Sequence, residues 1–117
     1  MIFKDDKPIY RQIIDYCFNC ILSGEWQTAL RIPSVREMAV ELAVNSHTVM
    51  KAYEYLQIHG IISPRRGMGF FLEENAKESV NTARRDEFFE TTLPELFSEM
   101  KILGIGIDEI TTRWHKT

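Results

Sequence analysis

Two short helices joined by a tight turn are predicted by residues 34–60, SVREMAVELAVNSHTVMKAYEYLQIHG. The first four residues match the capping-box pattern S-x-x-E, in which Ser34 and Glu37 each satisfy a free backbone N–H at the start of a helix. Asn45 is a favourable N-cap for a second helix, which Gly60 should end. Two helices separated by such a short turn form a helix-turn-helix. The apolar residues expected to face the core are Met38, Ala39, Leu42, Val49, Ala52, Tyr53 and Leu56.

A third helix is predicted before this segment and a β-hairpin after it. An apolar stripe with a spacing of four, Ile9, Ile13, Cys17 and Ile21, predicts a helix from about Ile9 to Ser23. Residues 61–72, IISPRRGMGFFL, predict two short strands around a turn rich in glycine and arginine. A hairpin that follows a helix-turn-helix is the wing of a winged helix.

The C-terminal residues predict further helices. Residues 74–82 are polar and are expected to form a connector or an exposed first helical turn. An amphipathic run follows, and because Pro94 interrupts it we expect either a kink or a helix that restarts after Thr92. Gly104 should end that helix, before a last short helix over residues 108–114.

These elements together define the expected fold class and domain organisation. The fold is expected to be mainly α with a small β-hairpin (α+β). Residues 1–73 are predicted to form a winged helix-turn-helix domain, and residues 74–117 a short helical dimerisation segment.

Composition and charge exclude several classes of protein. A chain of 117 residues, 44% apolar and 26% charged, suits one compact globular unit and not a multidomain enzyme. Fourteen basic against 17 acidic side chains give a net charge of −3, all of it carried by residues 74–117. Residues 1–73 are neutral, with eight side chains of each sign, so charge permits binding to DNA without predicting it.

The cellular location is expected to be the cytoplasm. Asp15 and Glu25 bracket the longest charge-free apolar stretch near the start, which is too short to span a membrane. The first residues, MIFKDD, lack the basic and apolar regions of a signal peptide. Cys17 and Cys20 should therefore stay reduced.

Four segments in order resemble the N-terminal winged helix of GntR-type bacterial transcription regulators. Within that family, the string N-x-x-T-V-x-K-A-Y and the short helical tail are most similar to the YtrA subfamily. The segments are residues 8–13 (PIYRQI), 32–39 (IPSVREMA), 44–53 (VNSHTVMKAY) and 65–70 (RRGMGF). The resemblance implies a homodimeric DNA-binding regulator, usually a repressor, whose C-terminal helices act mainly in dimerisation. His47 stands where the family frequently has Asn, which affects base preference.

The start of the second helix and the hairpin turn hold the candidate DNA contacts. A recognition helix points its first residues into the major groove, where Asn pairs with adenine and Thr contacts a thymine methyl group. Ser34 lies at a helix N-terminus that favours a phosphate, and arginines at the wing can enter the minor groove. The resemblance adds Arg36. The expected DNA-contacting residues are Ser34, Arg36, Asn45, Ser46, His47, Thr48, Lys51, Arg65, Arg66, Gly67 and Met68.

Each of these residues also has a simpler interpretation. Asn45 and Ser34 are good helix caps whatever the helices do. Arg65 and Arg66 could form a solvated turn, and His47 could merely face solvent.

The apolar side of the amphipathic run is expected to join two subunits. Its residues are Phe88, Phe89, Leu93, Leu96, Phe97, Met100 and Leu103. The same stripe could line a pocket for a small-molecule effector, but about 40 residues are too few to enclose a large cavity and also to dimerise.

Other chemistry is not expected. Cys17 and Cys20 form a C-x-x-C pair without a second pair of metal ligands, so burial as small apolar groups is favoured over a metal site. The sequence contains no catalytic triad or phosphate-binding loop before a helix, which predicts no catalysis and no cofactor. The expected partners are double-stranded DNA and a second copy of the chain. The alternative is a winged helix that binds proteins and not DNA.

Overall fold

The computed structural model describes residues 3–4 and 6–117. Its elements are α1 Ile9–Leu22, α2 Val35–Leu42, α3 Ser46–Ile58, β1 Ile62–Arg65, β2 Gly69–Leu72, α4 Ala76–Glu87, a π-helical segment Phe88–Thr92, α5 Leu93–Leu103 and α6 Ile107–Trp114. The predicted fold class, mainly α with a small β-hairpin, is confirmed. The chain forms two compact units, which we call the head unit (residues up to Asn81) and the tail unit (Thr82–Thr117).

Helix α1 packs its apolar stripe into the core of the head unit. Three of the four stripe residues are buried, whereas Ile9 is 45% exposed. The helix ends at Leu22, one residue before the predicted end. Gly24 follows with a φ of +83°, in the left-handed region that glycine favours after a helix.

The predicted capping box at the start of α2 is present. Ser34 Oγ accepts a hydrogen bond from the backbone N–H of Glu37 at 3.0 Å, and Glu37 Oε1 accepts one from the N–H of Ser34 at 3.0 Å. The Arg31 guanidinium also donates to Glu37 Oε1, at 2.8 Å. The hydrogen bond from Arg31, together with those from Ser34, lowers the pKa of Glu37 from 4.5 to about 2.

The turn between α2 and α3 confirms the helix-turn-helix. Ala43 adopts a left-handed conformation with a φ of +55°, which ends α2. Asn45 then caps α3 as predicted, because its Oδ1 accepts a hydrogen bond from the N–H of His47 at 2.7 Å. All the apolar residues predicted to face the core from these two helices are buried: Met38, Ala39, Leu42, Val49, Ala52, Tyr53 and Leu56.

Tyr53 connects α3 to two other parts of the head unit. Its side chain is fully buried, and its hydroxyl donates a hydrogen bond to the backbone carbonyl of Pro33 at 2.6 Å. Its ring meets the ring of Phe70 edge-on, with centroids 5.3 Å apart. The segment before α2 and the second strand of the hairpin are therefore both fixed against α3.

The hairpin is the predicted wing. Strands β1 and β2 pair antiparallel, from Ile62 opposite Leu72 to Arg65 opposite Gly69. Gly67 at the turn has a φ of +74°, which a residue with a side chain rarely adopts.

A loop residue extends this two-stranded sheet. Arg31 forms an isolated β-bridge opposite Phe71, and the N–H of Ile32 donates to the carbonyl of Phe70 at 3.0 Å. The segment before α2 therefore lies alongside β2.

Residues 76–82 of the polar segment 74–82 are helical, so of the two expectations the connector is wrong and the helical turn is right in part. Helix α4 begins at Ala76, and one side of its first turns is buried. Ala76, Val80 and Ala83 are 2%, 0% and 5% exposed, at helical spacings of four and three. These apolar side chains are small and few among polar neighbours, so the apolar periodicity of the segment is weak.

Before Pro94 the helix changes type without a break, because the backbone stays in the helical region at Glu87, Thr92 and Leu93. A π-helical segment, Phe88–Thr92, precedes α5, which begins at Leu93 with Pro94 in its first turn. A proline is tolerated there because a first-turn N–H has no partner within the helix. Gly104 ends α5 as predicted, with a φ of +71°.

Replacing Tyr53 by Phe should lower the free energy of unfolding by about 1–2 kcal/mol, because the carbonyl of Pro33 would lose its hydrogen bond. Urea-induced unfolding measures this loss. Tyr10→Phe is the control, since the Tyr10 hydroxyl has no hydrogen bond to a described residue. An equal effect of both substitutions would contradict the assignment.

Replacing Glu37 by Gln should slightly destabilise the protein at neutral pH, and this effect should shrink progressively as the pH falls from 4.5 toward 2. The pKa of Glu37 is depressed in the folded protein, so its stabilisation is complete above its ordinary pKa of 4.5 and is lost as the pH falls toward about 2. Thermal unfolding of both proteins between pH 7 and pH 3 tests this.

The control for this experiment is Glu54→Gln, which removes one charge from an exposed site on α3 without breaking an ion pair between described residues. A difference between Glu37→Gln and wild type that stays constant with pH would show that the carboxylate charge is not responsible.

Candidate nucleic-acid interface

The start of α3 presents polar side chains to solvent. Asn45, Ser46, His47 and Lys51 are exposed and Thr48 is half-buried. Asn45 uses its Oδ1 for the helix cap, which leaves its amide group as a donor. The capping interpretation of Asn45 thus describes the protein without DNA, and a base contact through the amide remains a prediction.

Lys51, one turn further along α3, lies against an aromatic ring of α1. Its Nζ is 4.0 Å from the centroid of the Tyr10 ring, a cation–π contact. Sequence reasoning missed Tyr10 as a neighbour of this lysine. No spacing along the chain relates the two residues, because only the packing of α1 on α3 brings them together.

Helix α2 contributes Ser34 and Arg36. Ser34 is half-buried, and its hydroxyl and N–H are both engaged in the capping box. Arg36 is exposed and has no ion pair, hydrogen bond or aromatic contact with any residue that the structure describes. The capping alternative for Ser34 is therefore present in the structure, and contacts of Ser34 and Arg36 with DNA remain predictions.

At the tip of the wing four exposed residues follow one another, Arg65, Arg66, Gly67 and Met68. The Arg65 guanidinium lies over the Phe71 ring, with its central carbon 4.2 Å from the centroid. Arg66 has no such contact within the described part of the chain. The exposed fraction of Met68 is 59%.

The five basic side chains between residues 31 and 69 differ in whether they have a partner within the protein, which affects how readily each can bind DNA. Arg31 is paired with Glu37, and Lys51 and Arg65 lie against aromatic rings. Arg36 and Arg66 remain without a partner among the described residues. A cation that has no partner within the protein breaks no intramolecular contact when it binds a phosphate or a base.

The apolar stripe of the tail unit is largely uncovered within one subunit. Phe88, Phe89, Leu96, Phe97 and Leu103 are 41–63% exposed. Leu93 is half-buried.

Met100 differs from the other predicted dimer contacts, because it is 7% exposed and packs within its own chain. Ile107 and Trp114 add exposed apolar surface on α6 that the list of predicted contacts left out, with 61% and 72% exposed.

The two cysteines of α1 are buried, as favoured by the sequence. Burial raises the pKa of both thiols, that of Cys20 to about 12. Such thiols stay protonated at neutral pH, whereas metal ions bind thiolates. Within residues 3–4 and 6–117, no three His, Cys, Asp or Glu side chains are grouped to hold a metal ion.

None of the described helices combines the length and the apolar character that spanning a membrane requires.

Comparison with known proteins identifies the family. Residues 9–72 match the family model "Bacterial regulatory proteins, gntR family". The chain is 33% identical to the HTH-type transcriptional repressor YtrA of Bacillus subtilis over 107 residues, which cover 92% of this chain and 82% of that protein.

Solved structures agree with this result. A GntR-family regulator from Bacteroides thetaiotaomicron superposes with a TM-score of 0.75 and 39% identity, over 92% of this chain and 94% of that one. The DNA-binding domain of AraR, solved in complex with its operator ORR3, superposes with a TM-score of 0.56 and 25% identity, over 62% of this chain and 88% of that one.

The match over α1–β2, the alignment with YtrA along most of both chains and the shared winged-helix fold lead to one conclusion. The chain belongs to the GntR family of bacterial regulatory proteins, within the YtrA subfamily, and is a DNA-binding transcription regulator of the helix-turn-helix type.

Proposed function

We propose that the protein is a cytoplasmic repressor that binds a two-fold-symmetric operator as a homodimer and has no catalytic activity. Residues 1–73 bind DNA in this proposal, and residues 74–117 hold the dimer together. The observation that carries it is that Arg36 on α2 and Arg66 on the wing are exposed and have no partner among the described residues, beside an exposed polar start of α3. The relative YtrA is a repressor by name, and AraR has been crystallised on an operator, which supports the same role here.

The major-groove contact is proposed to come from the start of α3. The first residues of a recognition helix face base edges, while the preceding helix lies across the backbone. In this arrangement Asn45, Ser46, His47 and Thr48 face bases. Lys51 contacts a guanine or a phosphate.

Arg36 and Ser34 are proposed to act from α2. Arg36 contacts a base or a phosphate with its guanidinium group, which has no partner among the described residues. Ser34 contacts a phosphate, which the helix N-terminus favours electrostatically.

The wing is proposed to contact the adjacent minor groove. Arg65 and Arg66 carry the charge that a narrow minor groove attracts. Gly67 allows the backbone to approach closely, and Met68 contacts sugars. The overall charge of −3 makes this arrangement depend on local cations and not on the field of the whole protein.

The dimer is proposed to form through the exposed apolar stripe of the tail unit. Large apolar side chains left in solvent on one face are typical of an interaction surface. A second copy of the same stripe would cover this face through a two-fold interface. Joining two head units then raises the affinity for paired half-sites by effective concentration.

Selection of bound oligonucleotides from a random library tests the proposal most directly. A two-fold-symmetric motif, bound with an affinity that falls steeply with salt, is expected. A DNA affinity that ignores salt, or the absence of any selected motif, would contradict it and leave a protein-binding role.

Replacing Arg36 by Ala should weaken binding to the selected operator by about 5- to 150-fold, which corresponds to about 1–3 kcal/mol for one base-reading contact. Electrophoretic mobility shifts at two salt concentrations measure the loss. Lys77→Ala removes one exposed positive charge from α4 and should leave binding unchanged. Equal losses for both variants would mean that only net charge matters.

Replacing Phe97 by Asp should convert the dimer to a monomer at micromolar concentration and weaken operator binding about 10²- to 10⁴-fold. The physical reason is a charge placed in the apolar interface. Sedimentation velocity and mobility shifts measure the two effects.

The matched control is Ile102→Asp. Ile102 is 83% exposed and lies nine residues after Leu93, about two and a half helical turns, which places it on the opposite side of α5. It should leave the dimer intact, and a monomeric wild-type protein at micromolar concentration would refute the interface.

A further inference from the structure

Arg31 contacts both the wing and the first turn of α2. Its backbone bridges to Phe71 of β2, and the next residue, Ile32, donates a hydrogen bond to the carbonyl of Phe70 at 3.0 Å. The loop before α2 thereby lies against the second strand of the wing.

The side chain of Arg31 passes over Gly69, the first residue of β2. A Cβ atom at Gly69 would lie 3.1 Å from Cδ and 3.4 Å from Cγ of Arg31, which is tighter than an ordinary van der Waals contact. Gly69 also has a φ of +101°, a conformation that other residues rarely adopt. The end of β2 nearest the turn is thus shaped to accept the arginine stem.

The guanidinium group of Arg31 ends at the start of α2. Its Nη1 donates to Glu37 Oε1 at 2.8 Å, and the same oxygen accepts the hydrogen bond from the N–H of Ser34. The ion pair is half exposed, with 49% and 53% of the two side chains accessible. One arginine therefore connects the wing to the helical turn that carries Arg36.

We propose that Arg31 is a positioning residue: it fixes the wing relative to α2, so that the two elements contact DNA at a set distance from each other. The inference rests on the proposed binding to DNA. An exposed ion pair contributes little to global stability, and the backbone bridge and the Tyr53 contacts would survive its loss. Loss of Arg31 should therefore loosen the wing without unfolding the head unit, and the cost should appear in binding, where preorganised contacts matter most.

Arg31 could instead contact a phosphate itself, and two substitutions separate these roles. Arg31→Ala removes the pair and the positive charge. Glu37→Gln removes the pair but leaves Arg31 charged and free, while glutamine still serves in a capping box. Positioning predicts that both substitutions weaken binding, whereas direct phosphate contact predicts that Glu37→Gln maintains or strengthens it.

The experiment measures dissociation constants of the full chain for the operator selected with the wild-type protein, at two salt concentrations. We expect about a tenfold loss for Arg31→Ala and for Glu37→Gln, no further loss in the double variant, and partial recovery in Arg31→Lys. Oligonucleotide selection repeated with Arg31→Ala should give a motif that has lost base preference where the wing is proposed to contact the minor groove. A merely structural role would not change that pattern.

Lys7→Ala is the matched control, because it breaks another exposed ion pair of the head unit, with Asp15 at 3.3 Å, and changes the net charge equally. It should leave binding unchanged, and circular dichroism should show all variants folded. Unchanged binding by Arg31→Ala, or improved binding by Glu37→Gln, overturns the inference. If the wild-type protein itself binds no DNA, the proposed function fails and the inference falls with it.

Discussion

The buried side chain of Tyr53 is the contact on which the geometry of the head unit depends. It belongs to the helix proposed to enter the major groove, and it holds Pro33 by a hydrogen bond and Phe70 by an aromatic contact. The hydroxyl of a buried tyrosine needs a hydrogen-bond partner, so the packing of the ring and the hydrogen bond together fix the orientation of the side chain. The wing and the segment before α2 are consequently both held in place by the same side chain of α3.

The cations of the head unit differ in the contacts that they make. Arg31 is paired with the carboxylate of Glu37. Lys51 rests on Tyr10. An aromatic face holds a cation without cancelling its charge, so the lysine stays available to an anion. The protein thus presents positive charge locally although its total charge is negative.

The sequence predicted the elements that depend on neighbouring residues. Caps at Ser34 and Asn45 and the turn at Gly67 follow from the local chemistry of one or two side chains, and the structure contains each of them. The length of helix α4 and its buried side were not predicted, because its buried residues are small and separated by polar and charged ones, which gives a weak apolar period.

Contacts between distant segments could not be predicted in the same way. The approach of Lys51 to Tyr10 depends on how two helices pack, and that of Arg31 to Gly69 depends on how a loop pairs with a strand. Neither follows from the distance along the chain. The residues predicted to contact DNA are exposed or half-buried at the surface of the head unit, but a surface position does not specify which base each one meets.

The burial of Cys17 and Cys20 has an experimental use. Both thiols are sealed in the packing of α1 and, with a raised pKa, hold little thiolate at neutral pH. A maleimide can therefore modify them only when α1 separates from its neighbours. The rate of alkylation therefore reports how often the head unit opens, without an artificial label. The same assay with a bound DNA duplex shows by how much DNA binding slows that opening.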